Sequence, residues 1–299
     1  MAMAYVRLKY NRETLRDYAQ LLTRSEITKL ANEGDYSTLN HFIHAYDSRV
    51  FSSGKNYGDY YYYIYDVLRT HYGNEYVVKN EFINYGLYQL NLCSDCQKVY
   101  IYSELRIGDV IADLALFNGH SVGIEIKTEL DSPNRLDSQL DRYLRVFNSV
   151  YVMVPQSCLS IYQPFTSKYP IGLISYSSQE RTFTIEKNSI QRSELDPKQV
   201  MEVLHTAEYK EIVHRYYGIY SIEGRTDFNQ FALYGKKLSQ IPANELNKLF
   251  IEVLKERGIP ISFFKRKRQE LNQALLALRS NDDFRKKLYN QLLKPINLK

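Results

Sequence analysis

Tryptophan is absent from the 299-residue chain, and cysteine is scarce, with three in all. Three thiols are too few for a disulfide framework at this length, which excludes the disulfide-stapled secreted scaffolds and leaves the cysteines reduced. No apolar run approaches the roughly 20 residues that span a bilayer. The stretch from Met1 to Tyr10 carries Arg7 and Lys9 and no signal-peptide core. The expectation is a cytoplasmic protein with no membrane partner. Cys93-x-x-Cys96 has no second pair, and His41-x-x-His44 lacks finger spacing, so neither argues for zinc. Charge of one sign is also weak. The balance of 39 basic and 34 acidic residues leaves +5, which is compatible with a polyanionic partner without demanding one.

What the chain has in quantity is tyrosine, 28 residues, within a 44% hydrophobic composition that can bury a full core. Tyrosine serves protein cores and base stacking alike. The run Tyr60, Tyr61, Tyr62, Tyr63 and Tyr65 reads mainly as a helix held between neighbours.

Residues 12 to 52 show helical periodicity, with Asn11 placed to cap a segment bearing Leu15, Tyr18, Leu21 and Leu22, and a second segment running from Ser37 to Phe51. The cluster from Ser52 to Asn56 marks a loop. Helices resume over Asp59 to His71 and within Tyr76 to Leu90. From Val99 the period becomes that of strands: Val99 to Leu105, Val110 to Phe117 and Ser121 to Thr128, with Asn118-Gly119 as a hairpin signal. Ser132 and Pro133 then open a helix whose apolar face is Leu136, Leu140, Tyr143, Leu144 and Phe147, ending near Asn148. A buried strand, Val150 to Val154, is stopped by Pro155. Strand patterns at Ile171 to Tyr176 and Arg181 to Glu186 follow. From Pro197 the chain is helical again, with breaks near Gly224, Pro242 and Gly258-Ile259-Pro260.

The chemistry concentrates in the strand pair. Eleven residues separate Asp113 from Glu125, and Lys127 follows two residues later. On a strand Glu125 and Lys127 share a face, while Ile124 and Ile126 point to the other. Glu-x-Lys alone is common as a surface pair. A carboxylate from each of two neighbouring strands, however, is what a hard octahedral Mg²⁺ takes, with phosphate and water completing the shell. A lysine beside them can stabilise negative charge on phosphate. Arg135 and Gln139 lie one turn apart on the next helix, off its leucine stripe, and can reach toward a phosphate.

With Asp113, Glu125-Ile126-Lys127, Asp131, Arg135-Leu136, Gln139 and Tyr143, followed by a strand ending at Val154, the segment from Glu104 to Pro155 resembles the PD-(D/E)XK nuclease superfamily. It looks in particular like a little-characterised bacterial branch of it. The resemblance implies an α/β, restriction-endonuclease-like core, a central mixed β-sheet flanked by helices. It implies Asp113 and Glu125 as metal ligands, with the Ile126 carbonyl and Glu104 as supplements, and Lys127 and Gln139 as catalytic partners. Mg²⁺, with Mn²⁺ able to substitute, is the expected cofactor. The expected activity is hydrolysis of DNA phosphodiester bonds, leaving a 5′-phosphate, by Mg²⁺-activated water. Alternatives are RNA cleavage by a defence effector, phage defence being one setting, or a nucleic-acid-binding or interaction protein that keeps the scaffold with little turnover. The chain is compatible with a homodimer. One departure is Ile111, where this branch commonly carries Arg. The implied organisation is an N-terminal helical extension (1–56), the nuclease core (57–190) and a C-terminal helical region (191–299). Within the last, Lys265-Arg266-Lys267-Arg268 could track a nucleic-acid backbone.

Geometry sets a condition of its own. A two-residue turn at Asn118-Gly119 would face Asp113 with Ile124 and send the two carboxylates to opposite faces of the sheet. A three-residue loop, Asn118-Gly119-His120, or a bulge is required to pair Asp113 with Glu125.

Overall fold

A computed structural model describes residues 10–51, 54–92, 98–222, 227–264 and 267–298. Its contacts divide into a sheet unit, Tyr85–Ser177 with Arg181–Phe264, and a helical unit, Met1–Asn84 with Ser178–Glu180 and Lys265–Lys299. No helix among the described residues is long and apolar enough to cross a membrane.

The sheet unit is α/β, built on a seven-stranded mixed sheet flanked by helices. The strands are β1 (Tyr100–Ile107), β2 (Val110–Asn118), β3 (His120–Ile126), β4 (Ser149–Pro155), β5 (Gly172–Ser177), β6 (Thr182–Lys187) and β7 (Ile259–Pro260), in the order β6-β5-β4-β3-β2-β1-β7. β1, β2 and β3 form an antiparallel meander, β4 and β5 continue it in parallel with β3, and β6 closes one edge antiparallel to β5. Parallel neighbours need a crossover, and the Leu136–Leu144 helix supplies it between β3 and β4. β7 pairs with β1 at the opposite edge; its Ile259-Pro260 reads as a helix break in the sequence because two residues carry no alternation.

The crossover helix lays Leu136, Leu140, Tyr143 and Leu144 on the sheet, all buried in one core with Ala115, Phe117, Val150 and Val152. It ends at Leu144, short of the Asn148 end read from periodicity. Asn148 is spent otherwise: its Oδ1 accepts from the Ser121 backbone N–H at 2.8 Å and its Nδ2 donates to the Arg192 carbonyl at 2.8 Å, which pins the entry to β4. The helices Pro197–Val203, Thr206–Tyr217 and Ala243–Arg257 send Val200, Ile212, Val213 and Phe250 into the same core. The contact division therefore does not follow three consecutive segments. Residues up to Phe264 bury their apolar faces with the sheet, and the chain beyond Lys265 belongs with the N-terminal helices.

In the helical unit Asn11 caps the Arg12–Gln20 helix through the Thr14 N–H at 2.8 Å, and Asn56 and Asp59 form a capping box on the Tyr57–His71 helix. The Asp282–Leu292 helix packs on the Arg24–Glu33 and Tyr57–His71 helices. Of the loop read at Ser52 to Asn56, Ser52 and Ser53 lie outside the described residues. The tyrosine run does core work: Tyr60 and Tyr61 are fully buried and Tyr62 is exposed. Tyr18, Tyr60 and Tyr63 all donate to the buried carboxylate of Asp47, at 2.6, 3.0 and 3.0 Å.

Two outcomes test this packing. Gly123 on β3 has no room for a side chain, since a Cβ there would sit 2.2 Å from the Phe147 ring. Gly123→Ala should cost about 1–3 kcal/mol in urea unfolding. Burial first, then the Asp47 partnership, raises the Tyr18 and Tyr60 hydroxyls well above their usual range. A folded-state pKa above the unfolded one means stability that is complete below about pH 10 and is lost as pH climbs from there toward the folded value. Unfolding free energies from urea titrations should hold steady up to about pH 10, then fall by about 1.4 kcal/mol per pH unit for each such tyrosine. A flat profile above pH 10 would contradict the burial.

Candidate functional site

The β2–β3 register answers the geometric condition. Asn118 pairs with His120 and Phe117 with Ser121, so the loop closes through Gly119, which takes a left-handed φ of 70°. The ladder continues to Leu114 opposite Ile124, its last rung, and the same register carried one residue further brings Asp113 level with Glu125. Both side chains thus fall on one face, the face covered by the crossover helix.

The ladder stops there, and side chains take over. The Asp113 carboxylate accepts the Ile126 N–H at 2.8 Å, leaving the Ile126 carbonyl outside the β2–β3 ladder. Glu125 is buried at 2% exposure. One of its oxygens accepts from the Lys127 ammonium at 2.6 Å and the other from the Tyr143 hydroxyl at 2.5 Å. Lys127 also donates to Gln139 Oε1 at 3.1 Å. Burial, followed by the charges of Glu125 and Asp113, lifts the Tyr143 hydroxyl well above the usual tyrosine range, so it stays a donor. The Tyr143 oxygen also lies 3.0 Å from the Ile111 carbonyl.

Asp113, Glu125, Lys127 and Gln139 are therefore brought together. The acid and lysine are not an open surface pair, because the helix of Leu136 and Leu140 roofs them and only Asp113 and Gln139 are half-exposed. Asp131 serves the turn after β3, accepting from the Thr128 N–H and hydroxyl at 2.8 and 2.7 Å. Glu104 falls opposite Asp113, between the rungs Ser103–Leu114 and Leu105–Ala112. It is exposed, with a left-handed φ of 59°. Arg135 is exposed at the start of the crossover helix, one turn before Gln139. His120 sits in the hairpin pair with Asn118, its pKa lowered by burial.

Lys265 and Arg266 lie outside the described residues, as do Cys93 and Cys96. Lys267 and Arg268 belong to the helical unit. There the Arg268 guanidinium lies against Gly58, where an added Cβ would meet it at 2.0 Å, and approaches Glu270 at 3.5 Å. That arginine is occupied within its own unit.

The donors that the residues offer, two carboxylates and the Ile126 carbonyl, are all oxygens, the chemistry a hard divalent cation takes. Among the described residues no group of three or more His, Cys, Asp or Glu side chains is disposed to hold a metal ion. A cation here would have two carboxylate ligands, and water or substrate would complete its shell. Tyr143 reads in the sequence only as part of the apolar stripe and the family pattern. Its polar end aimed at Glu125 follows from the helix crossing directly over β3.

A family model described as Bacteriophage P4 protein cII matches residues 69–279. No curated protein matches. Among solved structures, an SPO1766 protein of unknown function from Silicibacter pomeroyi is similar at 13% identity and a TM-score of 0.28, over 42% of this chain and 86% of that one. A TM-score that low carries no argument about fold or function.

The Glu125 environment gives a stability test. Lys127→Met leaves a buried carboxylate without its counter-charge and should cost about 3–5 kcal/mol, whereas Tyr143→Phe removes one donor and should cost about 1–3 kcal/mol. Urea titrations that ranked the two the other way would show that Glu125 depends on Tyr143 more than on Lys127.

Proposed function

The chain belongs to the Bacteriophage P4 protein cII family, and we propose that it is a Mg²⁺-dependent nuclease that hydrolyses phosphodiester bonds of DNA at Asp113, Glu125 and Lys127. The observation that carries this reading is the hairpin register, which places Asp113 and Glu125 on one face just past its last rung, with Lys127 bonded to Glu125 and Gln139. The restriction-endonuclease-like core belongs to the same proposal. An antiparallel meander, a crossover helix and a parallel fourth strand support it.

In this reading Asp113, Glu125 and the Ile126 carbonyl hold the cation. Bound Mg²⁺ or Mn²⁺ supplies charge neutralisation at the phosphate and lowers the pKa of attacking water. Lys127 carries a positive charge into a site walled by Leu136 and Leu140, where it acts on a phosphate oxygen more strongly than it would in bulk water. Gln139 orients that ammonium and Tyr143 fixes the Glu125 carboxylate. Arg135, exposed one turn ahead of Gln139, meets the backbone of the substrate and contributes position without sequence readout.

A second reading has its own observation. Both Glu125 oxygens are held by protein donors, and Ile111 stands exposed where the resembled branch has Arg. These favour a nucleic-acid-binding protein that keeps the scaffold with little turnover.

Purified protein incubated with plasmid DNA, linear DNA and RNA in Mg²⁺ or Mn²⁺ separates the two. Cleavage that EDTA abolishes, and that Glu125→Ala and Lys127→Ala each reduce about a hundredfold or more, is the expected result. Binding without cleavage, unchanged by either substitution, supports the second reading. Cleavage of RNA alone would move the substrate class to that of a ribonuclease effector.

A further inference from the structure

Lys127 stands one residue beyond the end of β3, and its backbone is paired in an unusual way. In a parallel ladder a residue donates its N–H to one neighbour on the next strand, and its carbonyl accepts from the residue two positions further on. Ile126 is in register with Met153, and the Lys127 N–H donates to the Met153 carbonyl at 2.9 Å. The next donor in the ladder is the N–H of residue 155. That residue is proline, which has none. Pro155 therefore ends the β3–β4 ladder at the carbonyl of Lys127.

A buried carbonyl left without a donor is costly, and the structure supplies one from a third strand. Tyr176 on β5 is in register with Pro155. Its side chain reaches across the proline, and its hydroxyl donates to the Lys127 carbonyl at 3.2 Å. Burial raises this hydroxyl far above the usual tyrosine range, so it keeps its proton. We infer that Tyr176 is a positioning residue: it replaces the N–H that Pro155 cannot offer and thereby fixes the backbone from which Lys127 projects toward Glu125 and Gln139. The catalytic consequence rests on the nuclease reading, whereas the hydrogen bond and its exchange with Pro155 do not. β3 is the strand from which the lysine leaves, and holding the Lys127 carbonyl restrains the backbone at the Cα that carries that side chain.

The same reasoning names its own rescue. Pro155→Ala restores an N–H facing β3, since Pro155 has φ −57° and ψ 144°, a conformation open to alanine. Restoring the ladder bond should make the Tyr176 hydroxyl dispensable.

Lys-Thr occurs once in the chain, at Lys127-Thr128. Protein labelled with ¹³C-carbonyl lysine and ¹⁵N-threonine will give a single carbonyl-to-amide correlation, which reports the Lys127 carbonyl directly. In Tyr176→Phe that carbonyl resonance should move upfield, as expected for loss of a hydrogen bond, and in Tyr176→Phe/Pro155→Ala it should return toward its original position. Under conditions where the wild type cleaves DNA, Tyr176→Phe should lower kcat about fivefold to tenfold with KM unchanged, and the double variant should recover most of the loss. A resonance that stays put in Tyr176→Phe overturns the inference whatever the activity. A resonance that moves without any change in kcat overturns the positioning role. If the wild type cleaves no substrate, the nuclease reading fails by itself, and the carbonyl resonance still decides whether Tyr176 substitutes for the missing ladder donor.

Discussion

Parity governs the sheet face of this protein. Side chains alternate along a strand, so the number of residues at the apex of the β2–β3 hairpin decides whether Asp113 and Glu125 share a face or oppose one another. Gly119 takes the left-handed apex alone, Asn118 and His120 pair across it, and the two carboxylates meet. Everything downstream inherits that choice. With the other parity, Glu125 would face an aliphatic side chain of β2, and neither Tyr143 nor Lys127 would have an acid partner to hold between them.

The meeting is expensive. A carboxylate at 2% exposure loses most of its hydration, and one ammonium rarely repays that loss. Here a phenol and an ammonium each engage a different oxygen, and the ammonium is further satisfied by an amide carbonyl. Such a network adds little stability compared with an aliphatic replacement of the same volume. What it gains is a lysine held in one orientation against Glu125 and Gln139. Asp113 is half-exposed while Glu125 is buried, so the site opens to solvent on the Asp113 side.

Much of this was legible in the residues. Alternation and capping locate the meander and the crossover helix, and parity alone requires a three-residue loop at Asn118-Gly119-His120 or a bulge. Three things were not legible, each because the information is non-local. Asn148 looked like the end of a helix, yet its side chain clasps Ser121 and the Arg192 carbonyl, contacts 27 and 44 residues away in sequence. Two-residue β7 is defined solely by what β1 offers it. The polar end of Tyr143 is invisible to a hydrophobic-face reading, since the ring does satisfy the leucine stripe. The same limitation hid the link from Tyr176 to Lys127, although the proline on β4 was a local sign that some carbonyl on β3 would need another donor.

The division of the helical unit between both ends of the sequence bears on how the chain is made. The Asp282–Leu292 helix, whose buried Leu288 and Leu292 pack among the N-terminal helices, is synthesised after the whole of the sheet unit. The parts of the Arg24–Glu33 and Tyr57–His71 helices that the Asp282–Leu292 helix covers have no partner from the chain until that helix is made. A ribosome that stalled before Asp282 would thus leave those helix faces without the segment that covers them, exposed apolar surface of the kind that chaperones meet.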